Sequence, residues 1–145
     1  MKIIRISTDL ELSVHEFPCG SYKQQNQELR DLIGGYCNIY EHVMPKRLYT
    51  ELHQENRPTK IAGQCVSMLV DEEGRLKADI EPNPLASYLY ETEKHGTPIM
   101  GNVLFVGEKL GRDGIEFCGI RDSVFRVLEK QLHDIVSKMK EELGI

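Results

Sequence analysis

The alternation of apolar and polar residues at the start of the chain predicts a β-hairpin. Residues 2–7 and 12–17 both alternate in the manner of a strand that buries one face. The short polar stretch at residues 8–11 lies between them and predicts the turn. Pro18 and Gly20 follow, and both residue types interrupt regular structure, so we expect this unit to end there.

A helix and a third strand are predicted next. Ser21 and Gln24 have the spacing of a capping box, in which each side chain satisfies a free backbone N–H of the other residue. The Gly34-Gly35 pair ends the helix, because glycine adopts a left-handed C-terminal conformation at low cost. Residues 36–43 then predict a strand, which Pro45 ends. Residues 46–64 predict a long loop, with a strand at residues 48–52 as the alternative.

Two more apolar runs predict hairpins in the second half of the chain. Residues 65–70 and 75–80 flank a turn in which we expect Gly74 to take a positive φ. The run at 99–107 has few polar interruptions, which predicts a central strand buried on both faces. A glycine-rich loop at 107–114 connects that strand to a partner at 115–120.

Two further helices complete the pattern. Asn83 as N-cap and Pro84 at the first helical position predict a short helix. Apolar residues recur every three or four positions from Val124 to Leu143, with Asp122 or Ser123 as the cap. The order of elements predicts an α+β fold, with a mainly antiparallel sheet built from hairpins, two shorter helices and a long amphipathic C-terminal helix packed on it.

Composition supports one domain that spans residues 1–145. Apolar residues make up 40% of the 145 residues and charged residues 28%. The net charge of −5 argues against an extended nucleic-acid surface, which needs a concentrated positive field. No segment has the pattern of a signal peptide or a membrane span, and the four cysteines form no C-x-x-C pair. We therefore expect a cytoplasmic protein with reduced thiols and no membrane association.

Four segments in a fixed order resemble a known family. They are residues 29–36 (LRDLIGGY), residues 69–76 (LVDEEGRL), Asn83 and residues 99–107 (IMGNVLFVG). Their order and spacing resemble the family named domain of unknown function 3846, over residues 1–130. The chain differs from the family pattern at Asp71, where the family has Asn, and at Pro84, where an Arg often follows the Asn. It also carries an insertion around residues 45–62.

This resemblance implies a biological setting and no particular reaction. Members of the family are typical of phages, plasmids and integrated mobile elements. The family has no established catalytic residues, so the resemblance implies neither a catalytic residue nor a cofactor in this chain.

Candidates for catalytic and metal chemistry are few. Cys19 lies between Pro18 and Gly20, where an exposed thiol could act as a nucleophile. His15 and Cys19 together with Cys37 and His42 could supply four zinc ligands. Cys37 and His42 would point to opposite faces of a strand, which disfavours a shared zinc ion, and we expect no metal.

Positive side chains in two separate segments predict an anion site. Lys46, Arg47 and Tyr49 combine phosphate-binding charge with a ring that can stack on a base. Lys109 and Arg112 lie in the glycine-rich loop, and Asn102 begins the most apolar strand. The predicted ligand site therefore consists of Lys46, Arg47, Tyr49, Asn102, Lys109 and Arg112. Solvated loops and a structural Asn102 are the alternative interpretation.

A second set of residues is aromatic. The tyrosines that could frame a pocket or an oligomer contact are Tyr36, Tyr40, Tyr88 and Tyr90. Core packing with a solvated hydroxyl is the alternative for each of them.

The sequence leaves three functions open. The first is a non-catalytic accessory protein of a phage or mobile element that acts by binding, sequestering a small anionic, nucleotide-like ligand against host defence. The second is an inhibitor or regulator that docks an acidic face on a host protein, using Asp71, Glu72, Glu73 and Glu91 or Glu93. The third is a small hydrolase that uses Cys19 or a metal ion. Self-association through a sheet edge or the long helix is a further expectation.

Overall fold

The computed structural model describes residues 1–145 as a six-stranded antiparallel sheet with helices on both faces. The strands are β1 (Lys2–Ile6), β2 (Leu12–Glu16), β3 (Tyr40–Val43), β4 (Cys65–Asp71), β5 (Val103–Gly111) and β6 (Gly114–Cys118). The helices are α1 (Tyr22–Ile33), α2 (Lys46–Thr50), α3 (Pro84–Tyr90), α4 (Thr92–His95) and α5 (Asp122–Leu143). A short 3-10 helix spans Gly74–Leu76. The predicted α+β class is confirmed.

Strand β5 organises the sheet. The strand order is β2-β1-β5-β4-β3, and β6 also pairs with β5. Strand β4 pairs with residues 104–108 of β5 along one edge. The other edge is shared, because β1 pairs with residues 103–105 and β6 with residues 107–111. The prediction of a central strand in this region is confirmed.

Side chains of β5 alternate between two hydrophobic cores. Leu104 and Val106 join the smaller core, which lies under α1. Val103 and Phe105 join the larger core of 18 buried residues, to which α3 and α5 contribute. All four side chains are fully buried, which explains the absence of polar interruptions in this run.

The ends of two helices agree with the sequence signals. The Ser21 side chain accepts a hydrogen bond from Gln24 N, and the Gln24 side chain accepts one from Ser21 N, so the capping box is present. Asn83 caps α3, with Pro84 at its first position. The start of α5 differs from the prediction, because Arg121 occupies the N-cap position without a side-chain hydrogen bond.

The region between the third and fourth strands differs from the prediction. Strand β3 begins only at Tyr40 rather than at residue 36. Residues 46–50 form the helix α2 instead of a loop or a strand. One turn of helix places Leu48 in the larger core with no exposed surface, and this burial stabilises the turn.

The predicted hairpin around Gly74 is wrong. Residues 75–80 form no strand, since β3 and β5 already occupy both edges of β4. The chain turns through the 3-10 helix, and Gly74 does not have a positive φ. Lys77 then reaches back to donate hydrogen bonds to Asp71 Oδ2 at 2.7 Å and to the Tyr36 carbonyl at 2.5 Å.

The predicted glycine-rich loop at residues 107–114 is mostly strand. Strand β5 continues to Gly111, and the turn itself contains only Arg112 and Asp113. A Cβ atom on Gly107 would collide with the Gly119 carbonyl and would lie 2.7 Å from Gly63 Cα. Close packing of backbone segments therefore explains this glycine without a phosphate ligand.

None of the helices combines the length and the hydropathy that are needed to cross a lipid bilayer.

The Asn83 side chain links the sheet to α3 by hydrogen bonds, and we predict that its removal lowers the free energy of unfolding. Its side chain is fully buried, donates to the carbonyls of Ile6 and Gly101, and accepts from Ala86 N. Asn83→Ala should lower the free energy of unfolding by about 3 kcal/mol, because it leaves buried backbone groups without partners. Ser21→Ala, at the exposed cap of α1, should lower the free energy of unfolding by only about 1 kcal/mol. Urea unfolding of both variants tests this, and equal losses would contradict it.

Candidate functional site

Arg47, from the predicted anion site, already has partners inside the protein. Its guanidinium group pairs with Glu51 at 3.0 Å and with Glu93, and it donates to the Tyr88 carbonyl at 2.7 Å. It also stacks over the Tyr88 ring at 4.3 Å. Lys46 is exposed on the same helix. Two carboxylates therefore neutralise the one side chain in this segment that could bind phosphate bidentately.

Tyr49 and Asn102 also serve internal contacts. The Tyr49 hydroxyl donates to the Val66 carbonyl at 2.6 Å. Asn102 accepts from Thr8 N at 3.1 Å and donates to the Ile33 carbonyl at 2.8 Å, so it ties together two separate loops. These contacts agree with the structural alternative for Asn102.

Lys109 and Arg112 lie on the β5–β6 hairpin. Lys109 Nζ is 3.6 Å from Glu116 Oε2, and Arg112 is exposed in the turn. None of the five best-defined cavities is lined by Lys46, Arg47, Lys109 or Arg112. The two positive segments therefore do not line a common cavity among these, and anion binding by the predicted set stays a prediction.

A cavity on the α1 face has the composition of a ligand site. Its volume is about 210 Å³, and we name it the aromatic cleft. It is lined by Phe17, Tyr22, Gln25, Asn26, Leu29, Tyr40, Ile115, Glu116 and Phe117. Residues from α1, β3, β6 and the end of β2 meet here. Apolar walls with a few polar groups are typical of small-molecule sites.

Ring packing holds the back of the aromatic cleft in place. The ring of Phe117 meets that of Tyr40 edge-on, with centroids 6.2 Å apart at 68°. The His42 ring packs on the same phenylalanine at 5.7 Å. The Tyr40 hydroxyl donates a hydrogen bond to Asn26 Oδ1, which links β3 to α1. Burial raises the pKa of Tyr40, so the hydroxyl stays protonated and remains a donor.

Behind these rings lies a buried carboxylate on the central strand. Glu108 is 2% exposed, and its Oε1 is 3.3 Å from His42 Nε2. Burial acts to raise the pKa of Glu108, but the bond with His42 and the nearby Ser67 hydroxyl together outweigh burial and lower it. Ser67 Oγ makes no hydrogen bond of normal geometry, so His42 is the main partner of this charge. His42 thereby has a fixed position against Phe117.

Burial also keeps two thiols protonated, one beside Glu108 and one in the smaller core. Cys65 Sγ lies 4.0 Å from Glu108 Oε1, and burial raises the pKa of Cys65 to about 12. Burial also raises the pKa of Cys37 to about 11. A thiol with such a pKa is protonated at neutral pH and is a poor nucleophile.

The catalytic and metal candidates of the sequence form no common site in the fold, and His42 among them pairs with Glu108. Cys19 is exposed, and no hydrogen bond or ion pair joins its thiol to a base. No group of three or more His, Cys, Asp and Glu side chains is arranged to hold a metal ion.

A second cavity, of about 260 Å³, lies beside the edge strand β3 on the opposite face of the sheet. Glu41, Asp71, Glu72 and Arg75 supply its charged groups, and Tyr90 lines it. Asp71 is already bonded to Lys77 there.

Two other members of the predicted acidic face, Glu91 and Glu93, are paired as well. Glu91 lies 2.5 Å from Lys94, and Glu93 pairs with Arg47. Internal cations therefore neutralise much of the acidic face that the sequence predicts.

Sequence reasoning found one residue of the aromatic cleft and missed the others. Tyr40 belongs to the predicted tyrosine set, and it lines the cleft. Tyr22, Gln25, Asn26 and Leu29 recur at three- and four-residue steps on α1, which was a usable signal for a shared helix face. Nothing in the sequence alone brings Phe117 to that face.

The pair of Glu108 and His42 predicts an acid-dependent loss of stability. The pKa of Glu108 in the folded protein is below its ordinary value of 4.5, so its contribution is complete above pH 4.5 and is lost as the pH falls through the folded pKa. We expect Glu108→Gln to reduce the free energy of unfolding most near neutral pH and least in acid. Urea unfolding from pH 7 to pH 3 measures the difference. Exposed Glu28→Gln is the control, and a difference that does not change with pH would contradict the prediction.

Comparison of the chain with protein-family models, with curated proteins and with solved structures gave no match. Membership in the family that the sequence resembles therefore stays a prediction.

Proposed function

We propose that this protein acts by binding a small nucleotide-like ligand, whose base enters the aromatic cleft. One observation carries the proposal, namely that a single cavity of about 210 Å³ combines four aromatic rings with two side-chain amides. The rings are those of Phe17, Tyr22, Tyr40 and Phe117.

The chemistry of a nucleobase fits these groups. Base–aromatic stacking contributes about 1–3 kcal/mol per base, and every base offers a π face. The Gln25 side chain and the Asn26 Nδ2 group make no hydrogen bond inside the protein, while both residues are partly shielded from solvent. Amide groups in this state are available for the polar edge of a base.

One of the positive residues that the sequence singled out supports an anionic ligand. The hairpin that contributes Ile115, Glu116 and Phe117 to the cleft also carries Lys109 and Arg112. Lys109 pairs with Glu116 at 3.6 Å on the opposite face of the hairpin from Phe117, because side chains alternate along a strand. Arg112 is exposed in the turn and has no ion-pair partner inside the protein, so it is available to a phosphate.

Ligand binding without catalysis is the simpler role for this site. His42 and the buried Glu108 form an acid–base pair nearby, and neither residue lines the cleft. The resemblance described above supports a role as an accessory protein of a phage or mobile element that sequesters its ligand.

Removal of a cleft ring should weaken binding. We expect wild-type protein to bind at least one of AMP, CMP, GMP and UMP in isothermal titration calorimetry. Phe117→Ala and the more exposed Tyr22→Ala should each weaken that binding about five-fold or more, because each removes a stacking surface. Tyr88→Ala removes a ring outside the cleft and should bind like wild type. No heat with any of the four nucleotides, or unchanged affinity in both cleft variants, would overturn the proposal.

Arg112 should affect the binding of the phosphate and leave the binding of the base unaffected. Arg112→Met should weaken the binding of nucleoside monophosphates about three-fold or more, as expected for one exposed charge contact, with the affinity for nucleosides unchanged. Lys46→Met, which removes a positive charge on α2, is the matched control. Equal effects of the substitution on the affinities for nucleoside and nucleotide would contradict the assignment of this residue to the phosphate.

A further inference from the structure

Strand β3 leaves one edge of the sheet without a partner strand. It is the last strand in the order β2-β1-β5-β4-β3, and it pairs only with β4. Glu72 N donates to the Ile39 carbonyl at 3.0 Å, which continues this ladder by one pair. Hydrogen-bonded pairs alternate along an antiparallel ladder, so the N–H and C=O groups of Tyr40 and His42 point away from β4. An extended chain can form hydrogen bonds to such an edge.

The cavity of about 260 Å³ beside β3 lies where a side chain of such a partner would reach, and we name it the edge cavity. Glu41 and Val43 both line it, since alternate residues of a strand share a face. A partner residue opposite Glu41 would point to that same face. Glu41 would then occupy a non-hydrogen-bonded position of the new ladder, where facing side chains are closest. An added strand therefore places one side chain in the edge cavity.

Two carboxylates of the edge cavity have no paired cation. Neither Glu41 nor Glu72 forms an ion pair inside the protein, whereas Asp71 is bonded to Lys77. Burial and the neighbouring charge of Glu72 raise the pKa of Glu41, although Arg75 acts in the opposite direction. Arg75 is the one cation that lines the cavity. A further cation supplied by a partner would therefore stabilise both carboxylates.

The surface around this edge has the composition of a contact with a basic protein. Residues 71–81 begin opposite the start of β3 and contain five acidic residues and two basic ones, while the whole chain has a net charge of −5. Ile39, directly before β3, is about half exposed, and Leu76 is largely exposed. Exposed apolar side chains within a charged rim are typical of protein–protein contacts. The negative charge argues against a nucleic acid and against a second copy, which would place like charges opposite each other.

We propose that β3 docks an extended segment of a basic partner protein, whose Lys or Arg side chain enters the edge cavity and pairs with Glu41 and Glu72. The strand backbone supplies hydrogen bonds without sequence preference, and the carboxylates supply the preference for a cation. Apolar walls such as Val43 and Ile99 contact the aliphatic stem of that side chain. The edge cavity and the aromatic cleft lie on opposite faces of the sheet, so this inference does not depend on nucleotide binding.

Fluorescence anisotropy with a labelled peptide tests the docking edge. The probe is a peptide of about seven residues, in which Thr and Val alternate around a central Lys, titrated with the full chain at low salt. It should bind with a Kd below about 1 mM. The same peptide with norleucine in place of Lys should bind about five-fold or more weakly, because it lacks the charge. A Lys peptide whose amides are methylated along its bonding edge should not bind, because it lacks the N–H donors.

Two variants separate the charge of the edge cavity from the strand edge itself. Glu41→Gln should remove most of the preference for Lys over norleucine and still bind the norleucine peptide, because the backbone of β3 is unchanged. Glu28→Gln removes an exposed carboxylate on α1 and should keep the preference. Equal melting temperatures of the two variants and the wild type confirm that the fold is preserved.

Each contrary result overturns a stated part of the inference. Absence of binding by the Lys peptide, or equal binding by the methylated peptide, would overturn docking at this edge. An unchanged preference for Lys in Glu41→Gln would overturn the role of the edge cavity. A dimer in size-exclusion chromatography that dissociates when the Lys peptide is added would assign the edge to a second copy and overturn the basic partner.

Discussion

Burial of β5 on both of its faces is the constraint on which the rest of the structure depends. The four residues Val103–Val106 have no exposed surface, and they supply both hydrophobic cores. A strand buried in this way must satisfy its backbone groups along both edges, which β4 occupies on one side and β1 with β6 on the other. Helices on both faces then exclude water from it.

The same strand carries a charge into the interior, and the candidate site follows from how that charge is stabilised. Glu108 continues β5 beyond its apolar run, and His42 is the neighbour that hydrogen-bonds to it. That bond holds the His42 ring against Phe117, which in turn meets Tyr40. A buried carboxylate is costly without a partner. The pair therefore serves stability and also fixes two walls of the aromatic cleft.

The fold separates the positive segments that the sequence suggested as one site. Arg47 is neutralised by Glu51 and Glu93 beside α3. Lys109 and Arg112 belong to the β5–β6 hairpin, of which Ile115, Glu116 and Phe117 line the cleft. The proposed site for a small anionic ligand therefore lies on the α1 face of the sheet, and the residues of α2 do not form it. Charge counted along a sequence cannot distinguish a free side chain from a paired one, because the partner can be distant in the chain, as Glu93 is from Arg47 at a separation of 46 residues.

The sequence by itself determined the features that depend on short-range chemistry. These are the β1–β2 hairpin, the caps at Ser21 and Asn83, the central strand and the amphipathic α5. Only the tertiary structure decided that the segment after β4 forms no strand, because β3 and β5 fill both edges of β4. It alone brought Asn26, Tyr40 and Phe117 together. Strand pairing and side-chain partners join residues distant in the chain, and local pattern contains no information about which distant residues meet.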